Sequence, residues 1–262
     1  MTVLTGVLGH PVGHSRSPAM MNAAFRELGL DWRYFKLPVP PELFAETMRA
    51  LPASGYAGAN VTIPHKLTAR VLADDLSAAA EAIGAANTLA FDDGRIEADN
   101  TDAAGFMDAL GEPRPRTALV LGAGGAARAV VWALREAGVA VRVWNRTAER
   151  AEALAAELGV ERAGSPEPAE LVANATSVGL AGEDERTVLE ALPLAEPPAL
   201  LVDLVYGDDP TALCRWAARG GGRVVDGLEV LVRQGARSLE RWTRRPAPLA
   251  VMRAAARSRT SS

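Results

Sequence analysis

Residues 122–127 constrain the fold of this chain more than any other segment. They read Gly-Ala-Gly-Gly-Ala-Ala, follow an apolar run at 117–121 that is typical of a buried strand, and open a predicted helix at 126–137. Glycines at such a turn let the chain bend sharply and leave bare backbone amides at a helix start, which bind negative charge. The segment predicts a dinucleotide-binding turn; a glycine-rich turn that binds nothing is the alternative. The residues expected to contact the dinucleotide are Gly122, Ala123, Gly124, Gly125 and Ala126.

Strand-like and helix-like segments alternate along the whole chain, which is the pattern of parallel sheets covered by helices. A proline-containing stretch at 111–116 divides them into two series, so we expect two α/β domains. Predicted strands lie at 4–9, 32–37, 56–62, 87–91, 95–97, 117–121, 140–144, 171–175, 199–205 and 223–225. Predicted helices lie at 18–28, with Ser17 as the cap, and at 41–51, 66–72, 77–83, 126–137, 148–158, 228–242 and 248–257. Residues 258–262 are expected to fray.

Composition and charge exclude several classes of protein. The length of 262 residues suits two modest domains or one large one. The net charge of −4 argues against a nucleic-acid-binding surface, and no apolar run approaches the roughly 20 residues of a membrane span. The single cysteine, Cys214, excludes an intrachain disulfide, and the three histidines lack the spacing of a zinc site. The first residues also lack the pattern of a secretory leader. We expect a cytoplasmic protein without a metal, membrane or nucleic-acid partner.

The residues that follow the second strand of the second series indicate which dinucleotide binds. An NAD-binding unit places Asp or Glu about 20 residues after the glycine turn, to hold the ribose hydroxyls. This chain has Asn145, Arg146 and Thr147 there instead. A carboxylate would repel a 2'-phosphate, whereas Arg146 can pair with it and Thr147 can add a hydroxyl. Arg150 is a second candidate, although an exposed helical arginine is often only solvated. The sequence therefore predicts NADP rather than NAD.

Polar clusters spread over nearly the whole chain resemble those of the shikimate dehydrogenase family. In the first series they are residues 9–18 (GHPVGHSRSP), 60–66 (NVTIPHK), 84–88 (GAANT) and 100–102 (NTD). In the second series they are residues 174–177 (NATS), 203–206 (DLVY) and 227–234. The resemblance implies an N-terminal α/β substrate domain of residues 1–102, joined by C-terminal helices at 237–262. Residues 103–236 are then a Rossmann-type, doubly wound, parallel-sheet NADP-binding domain, and we expect a cleft between the two domains.

The resemblance implies a reversible, NADPH-dependent reduction of 3-dehydroshikimate to shikimate, a step toward chorismate and the aromatic amino acids. We expect a monomer or homodimer. Such a reduction needs an acid within hydrogen-bond reach of the developing alkoxide. Lys36 and Lys66 are the only lysines among 28 basic residues. An ammonium can lose its proton near neutral pH when it is buried, whereas a guanidinium effectively cannot. We therefore predict that Lys66 is catalytic; a surface lysine at a helix start is the alternative.

The resemblance also assigns partners to Lys66. Asp102, whose other reading is an ordinary first-turn acid of a helix, becomes the carboxylate that orients Lys66 and shares its proton load. The implied substrate-binding residues are Ser15, Ser17, Asn60, Thr62, Asn87, Tyr206 and Gln234. Leu204 and Gly227 are implied to lie against the nicotinamide and its ribose, with ordinary sheet and turn residues as the alternative. His10, His14 and His65 are read as loop residues.

One loop departs from the family pattern, and two other functions compete. The family has Tyr-x-Pro-x-x-Thr where this chain reads Tyr206-Gly207-Asp208-Asp209-Pro210-Thr211, so the proline is shifted by two positions. A quinate/shikimate dehydrogenase of broader specificity is one alternative function, although its members tend toward NAD. A non-catalytic NADP- or shikimate-binding sensor is the other, since a fold does not guarantee chemistry. The presence of both Lys66 and Asp102 argues against the sensor.

Overall fold

The computed structural model describes residues 2–167 and 169–258. The chain divides into two compact units, one formed by Met1–Gly105 with Val232–Ser262 and the other by Phe106–Leu231. The divisions lie a few residues from the predicted domain boundaries at 102/103 and 236/237. Of the predicted frayed end, 258–262, the residues after Ser258 lie outside the described part of the chain. The expected α/β class is confirmed in both units.

The described part of the first unit contains a six-stranded mixed sheet of order β2-β1-β3-β5-β6-β4. Its strands are β1 (Val3–Gly9), β2 (Trp32–Pro38), β3 (Tyr56–Val61), β4 (Asp75–Leu76), β5 (Thr88–Asp92) and β6 (Arg95–Asp99). Strands β2, β1 and β3 are parallel, whereas β5 runs antiparallel to β3 and β6. Asp93 and Gly94 have φ values of 45° and 79° and form the two-residue turn predicted between β5 and β6.

Helices cover this sheet and place its polar loops. They are α1 (Ser17–Glu27), α2 (Phe44–Ala50), α3 (Lys66–Leu72), α4 (Ala78–Ile83) and α5 (Asp102–Leu110), the last of which continues into the second unit. Phe44 and Met48 of α2 pack in the core with Leu8 of β1. Ser17 is not the predicted cap, because it is the first residue of α1 and Arg16 holds the cap position. The predicted helix at 41–51 begins as a 3-10 turn, Pro41–Leu43, before α2.

The described part of the second unit contains a six-stranded, fully parallel sheet of order β12-β11-β10-β7-β8-β9. Its strands are β7 (Thr117–Leu121), β8 (Ala140–Trp144), β9 (Glu161–Arg162), β10 (Leu171–Asn174), β11 (Leu200–Asp203) and β12 (Arg223–Val225). The chain builds outward from β7 in both directions, so the strand order reverses between β7 and β10. This is the doubly wound arrangement, in which ligands bind beyond the carboxyl ends of the strands at the reversal.

Four helices lie wholly within the described part of the second unit: α6 (Gly125–Glu136), α7 (Ala148–Leu158), α8 (Glu185–Ala191) and α9 (Ala212–Arg219). The sequence pattern predicts α6 and α7 but not α8 and α9. Apolar residues of α6, such as Val130 and Leu134, pack with Val120 and Val143 of the sheet.

The chain then passes from the second unit back to the first through α10 (Gly227–Thr243), and α11 (Leu249–Arg257) follows. Helix α11 packs against α1 within the first unit. Gly105 of α5 makes close approach to α10 possible, because a Cβ at this position would lie 2.5 Å from the Gln234 backbone nitrogen. Gln234, although far along the chain, therefore lies in the same unit as Lys66 and Asp102. Within the described residues, no helix is long and apolar enough to cross a membrane.

Candidate active site

Lys66 and Asp102 meet in the first unit as an ion pair. Lys66 is the first residue of α3 and Asp102 is the first residue of α5. The Lys66 Nζ lies 2.6 Å from the Asp102 Oδ2, and their side chains are only 12% and 14% exposed. A cation at a helix N-terminus is unfavourable by itself, so the carboxylate offsets the helix dipole as well as pairing with the ammonium. The structure thus brings together the two predicted catalytic side chains where water is largely excluded.

Asn87 holds the other oxygen of this carboxylate. Its Nδ2 donates to the Asp102 Oδ1 at 2.8 Å, and it also lies 3.1 Å from the Gln234 Oε1. Its Oδ1 accepts from the backbone N–H of Thr101 at 2.7 Å. Because a backbone N–H can only donate and a carboxylate can only accept, both ends of the Asn87 amide are assigned. Asp102 is therefore held by Lys66 on one oxygen and by Asn87 on the other.

A buried triangle of hydroxyls supports Asn87. The side-chain oxygens of Thr88, Thr101 and Ser238 lie 2.9 to 3.2 Å from one another. Asn60 Nδ2 donates into this triangle at 3.1 Å from the Thr88 Oγ1 and 2.9 Å from the Ser238 Oγ. Tyr34 in turn donates to the Asn60 Oδ1 at 2.8 Å. Asn60, predicted to bind substrate, is thus a member of this internal network, and its substrate contact stays a prediction.

Ser15 and Thr62 lie on the loops that follow the parallel strands β1 and β3, and Ser17 is the first residue of α1. Both serines are buried, and the Ser17 N–H donates to the Ser15 Oγ at 3.3 Å. Thr62 is half-buried, and its methyl group lies against Gly9, where a Cβ would come within 2.4 Å of it. The segments that follow β1 and β3 are therefore in contact at the carboxyl ends of these strands. The substrate contacts of these three side chains stay predictions.

His65 has a structural environment that its loop position did not indicate. The side chain is 2% exposed, its Nε2 lies 2.7 Å from the Val39 carbonyl oxygen, and its ring stacks on Phe44 with centroids 4.2 Å apart. Burial lowers the pKa of His65 below the ordinary 6.5, although the hydrogen bond to Val39 opposes this shift. The neutral imidazole donates to Val39 and anchors the turn that precedes Lys66.

Gly122 and Gly124, in the glycine turn of the second unit, are glycines for different reasons. Gly122 has a φ of 110°, and a Cβ there would lie 2.9 Å from the Ala175 carbonyl oxygen, so the fold itself requires glycine. Gly124 has a φ of −91°, and no described atom lies within 4 Å of where its Cβ would be. Its bare backbone is therefore open to a ligand, and α6 begins at the next residue. This arrangement fits a pyrophosphate bound by the first amides of α6.

The predicted 2'-phosphate site lies between β8 and α7. Asn145 Nδ2 donates to the Thr147 carbonyl oxygen at 2.9 Å, and Thr147 holds the cap position of α7 without making a side-chain capping bond. Arg146 and Arg150 are exposed, and neither guanidinium makes a hydrogen bond or ion pair with any residue in the described part of the chain. A helix start with two uncommitted cations fits a phosphate better than it fits a pair of ribose hydroxyls.

Leu204 and Gly227, predicted to lie at the nicotinamide, contact each other in the second unit. A Cβ at Gly227 would come within 2.6 Å of the Leu204 carbonyl oxygen, so the start of α10 packs directly on the loop after β11. Tyr206 is half-buried on the same loop. The shifted proline leaves the end of this loop intact, because the Thr211 hydroxyl caps α9 and also donates to Asp203 at 2.6 Å.

Some network members carry no sequence assignment. Thr88 and Thr101 lie inside the quoted motifs but have no predicted role, and Ser238 lies outside them. The signal that could have found Ser238 is its position one helical turn after Gln234, which places both on one face of α10. In the part of the chain that the structure describes, no group of three or more His, Cys, Asp or Glu side chains could hold a metal ion.

Three family models match the chain. Residues 7–89 match the shikimate dehydrogenase substrate binding domain, residues 108–191 match shikimate / quinate 5-dehydrogenase, and residues 227–257 match the shikimate 5'-dehydrogenase C-terminal domain. Together the matches cover most of the sequence, including the Lys66 motif and the glycine turn.

Curated and solved relatives are similar over nearly the full length. A shikimate dehydrogenase (NADP(+)) of Methanothermobacter thermautotrophicus is 41% identical over 96% of this chain and 94% of its own. The crystal structure of Thermus thermophilus shikimate 5-dehydrogenase, in complex with NADP(H) and shikimate, is 41% identical, with a TM-score of 0.87 over 98% of this chain and 99% of that one. A ligand-free 5-ketofructose reductase of Gluconobacter is 30% identical, with a TM-score of 0.84 and coverage of 98% of each chain.

Proposed function

The chain belongs to the shikimate dehydrogenase family, and on that basis we propose that it catalyses the reversible, NADPH-dependent reduction of 3-dehydroshikimate to shikimate. It is an NADP-dependent oxidoreductase of aromatic amino acid biosynthesis, on the route to chorismate. The observation that carries the chemistry is the ion pair between Lys66 and Asp102, with Asn87 on the second carboxylate oxygen. The predicted family, enzyme class and cofactor are confirmed; the roles of single residues are proposals.

Lys66 exchanges the proton of the reaction. NADPH, when bound, supplies the hydride that adds to the carbonyl carbon. The Lys66 ammonium donates an N–H to the carbonyl oxygen as negative charge develops there, so the product leaves as an alcohol. In the oxidation, the neutral amine accepts the proton of the hydroxyl group. One side chain therefore acts as acid in one direction and as base in the other.

Asp102 and Asn87 hold Lys66 in place. Asp102 draws the ammonium to one position through the 2.6 Å contact and stabilises its positive charge. Asn87 prevents the carboxylate from rotating, because it donates to the second oxygen. A donor held in one position loses less entropy as the reaction proceeds than a free lysine side chain does.

The second unit supplies the cofactor contacts. The amides at the start of α6, with Gly122, Ala123, Gly124, Gly125 and Ala126, hold the pyrophosphate. Arg146 pairs with the 2'-phosphate, with Asn145 and Thr147 beside it and Arg150 one turn further. Leu204 and Gly227 lie at the nicotinamide end. The open backbone at Gly124 and the uncommitted guanidinium of Arg146 support this assignment.

Hydroxyl and amide groups bind the substrate. The hydroxyls of Ser15 and Ser17 are suited to its carboxylate, and Tyr206 keeps the carboxylate-binding role that the family resemblance implies. Side chains that can hydrogen-bond the ring hydroxyls are Asn60, Thr62, Asn87 and Gln234. The cytoplasmic location and the monomeric or homodimeric state stay predictions.

Steady-state assays of the purified protein test the function. Shikimate and quinate are each oxidised with NADP and with NAD, and 5-ketofructose is offered with NADPH because one structural neighbour is a reductase of that compound. We expect kcat/KM for shikimate with NADP to exceed that for shikimate with NAD by about tenfold or more, since a 2'-phosphate bound by arginine is worth at least that factor. We also expect it to exceed kcat/KM for quinate with NADP and for 5-ketofructose with NADPH. Preferential turnover of quinate with NAD would establish the broader dehydrogenase instead. Binding of shikimate and NADP without turnover would establish the sensor.

A further inference from the structure

Asp203 is a buried carboxylate outside the groups used by the proposed mechanism. It ends β11, and its solvent exposure is 0%. Four donors converge on it. Asn174 Nδ2 and the Val205 N–H donate to Oδ1 at 2.9 Å and 3.1 Å. The Thr211 hydroxyl donates to Oδ2 at 2.6 Å, and the Cys214 thiol lies 3.7 Å from the same oxygen.

Burial of the Asp203 carboxylate is energetically unfavourable by itself. Burial raises the pKa of Asp203 to about 6, while its hydrogen bonds from Thr211, Val205 and Asn174 oppose the shift. Burial also raises the pKa of the Cys214 thiol to about 12, so sulfur keeps its proton and remains a donor. A carboxylate without solvent is tolerated only when its lone pairs are satisfied, as they are here. Such a group is informative about the segments that its hydrogen bonds connect.

Two of the four donors lie at opposite ends of one loop. Val205 lies near the start of the segment 204–211 and Thr211 lies at its end, so one carboxylate is hydrogen-bonded to both ends of the loop. Thr211 also caps α9 through the Cys214 N–H at 3.1 Å. Tyr206 is therefore carried on a short segment that is fixed at both ends to the same side chain.

Asn174 extends this connection to the neighbouring strand. Its Oδ1 accepts from the Thr176 hydroxyl at 2.7 Å and from the Thr176 N–H at 3.1 Å, which orders the loop after β10. That loop contacts the glycine turn, since the Ala175 carbonyl oxygen is the atom that a Cβ at Gly122 would meet. Asp203 thus lies where the loops after β10 and β11 are held together.

We propose that Asp203 is a positioning residue for substrate binding, which fixes residues 204–211 so that Tyr206 is held in its binding position. The proposal rests on the proposed function of Tyr206. Asp203 itself contacts no ligand, because it has no exposed surface and both of its oxygens are occupied by the protein.

Hydrogen–deuterium exchange and kinetics of the full-length Asp203→Asn variant test the proposal. An amide in place of the carboxylate turns one acceptor into a donor, so at least one of the four donors loses its partner. We expect faster amide exchange confined to residues 204–211 and 175–178. We also expect the KM for shikimate to rise about tenfold, with kcat changed by less than about threefold and the KM for NADP changed less than the KM for shikimate.

Substitutions at Thr211 keep the test decisive if Asp203→Asn does not fold. Thr211→Val removes the hydroxyl and should reproduce the changes in KM for shikimate and in amide exchange. Thr211→Ser keeps the hydroxyl, so its KM for shikimate and its amide exchange should stay near those of the wild type. Asp184→Ala is the control, because it removes the side-chain cap of α8 in the same unit without touching residues 204–211. It should leave both KM values unchanged.

A double-mutant cycle with Tyr206→Phe separates positioning from general weakening. If Asp203 acts through Tyr206, Asp203→Asn adds no further increase in the KM for shikimate once Tyr206→Phe is present. A full additional increase, or unchanged exchange in residues 204–211 of Asp203→Asn, would overturn the proposal. A wild-type protein without shikimate turnover would refute the proposed function instead, and the exchange result would still decide whether Asp203 holds the loop.

Discussion

Arg146 carries the predicted choice between the two nicotinamide cofactors. Its guanidinium is exposed and makes no ion pair within the described chain, so it is available for a 2'-phosphate. We expect Arg146→Ala to raise the KM for NADP by one to two orders of magnitude, which corresponds to about 1.5 to 3 kcal/mol for a hydrogen bond between charged groups. The KM for NAD should change little, because NAD has no 2'-phosphate. Steady-state kinetics with both cofactors measure the two effects.

A matched variant controls for the change in net charge. Arg186 is exposed in the same unit and pairs with Glu190 at 2.8 Å. Arg186→Ala should leave both KM values near those of the wild type. Equal losses with NADP and NAD in Arg146→Ala would show that Arg146 does not read the 2'-phosphate.

His65 links stability to pH. Burial lowers the pKa of its folded form below the ordinary 6.5, so the unfolded chain takes up a proton first as the pH falls. The stabilisation that neutral His65 contributes is therefore complete above pH 6.5 and is lost as the pH falls below it. We expect the free energy of unfolding to fall less between about pH 8 and about pH 5.5 in His65→Gln, which keeps an N–H donor for Val39 but does not titrate.

Denaturant titrations at several pH values measure this difference. Identical pH dependence in His65→Gln and the wild type would contradict the assigned environment of His65.

At the scale of single residues, the sequence indicated which side chains are reactive better than it indicated which side chains are buried or hydrogen-bonded. The rarity of lysine and the family motif pointed to Lys66 and Asp102, which lie 2.6 Å apart. Ser238 was not predicted, because its hydrogen bonds join residues 137 and 150 positions away in the chain. The burial of His65 depends on stacking against Phe44, which a local pattern does not contain.

The glycine turn before α6 gives a prediction at the scale of an element. We expect Gly124→Ala to leave thermal stability of the protein without ligand near that of the wild type, because its φ is negative and its Cβ has space. The dissociation constant for NADP should nevertheless rise by about tenfold or more, since a methyl group would occupy the space that the pyrophosphate needs. Thermal unfolding and fluorescence titration with NADPH measure the two quantities separately.

Gly122→Ala is the matched comparison on the same turn. Its positive φ and the nearby Ala175 oxygen should lower the melting temperature even without ligand, because the strain is internal to the protein. If Gly124→Ala binds NADPH as tightly as the wild type, the open backbone at Gly124 does not face the cofactor.

Elements whose two ends carry clear sequence signals were predictable, and two-residue strands were not. The strands β7, β8 and β12 and the helices α3 and α7 have the predicted bounds, because apolar periodicity and turn residues mark both ends of each. Strands β4 and β9 have two residues each, which is too short for a pattern. Helix α8 follows a glycine-containing loop and α9 follows a loop with two aspartates and a proline, and the capping of these helices by Asp184 and Thr211 was not recognised.

At the scale of the whole molecule, the alternation of elements predicted two α/β units, and the parallel sheet of the second unit follows from the same pattern. The mixed sheet of the first unit required the predicted Asp-Gly hairpin, which reverses one strand. The return of residues 232–262 to the first unit came from the family resemblance rather than from any local signal, because a packing partner far along the chain leaves no periodicity of its own. The predicted cleft between the two domains stays a prediction.

The function proposed for the whole molecule requires that Lys66, in the polar cluster of the first unit, exchange the proton of the family's reaction. Lys66→Ala should lower kcat for shikimate oxidation by about 100-fold or more, within the range for a lost general acid or base, with a smaller change in KM. Lys36→Arg is the control, because Lys36 is the other lysine of the chain and donates to the Gly13 carbonyl oxygen at an exposed position.

Turnover of Lys66→Arg is the most direct measurement. Arginine keeps the positive charge and most of the hydrogen-bonding capacity but does not readily exchange a proton near pH 7. We predict that Lys66→Arg stays about as impaired as Lys66→Ala, while Lys36→Arg keeps the turnover of the wild type. Near-normal turnover of Lys66→Arg would contradict proton exchange by Lys66 and would leave it as a binding or electrostatic residue, with water held by Asp102 as the next proton source to test.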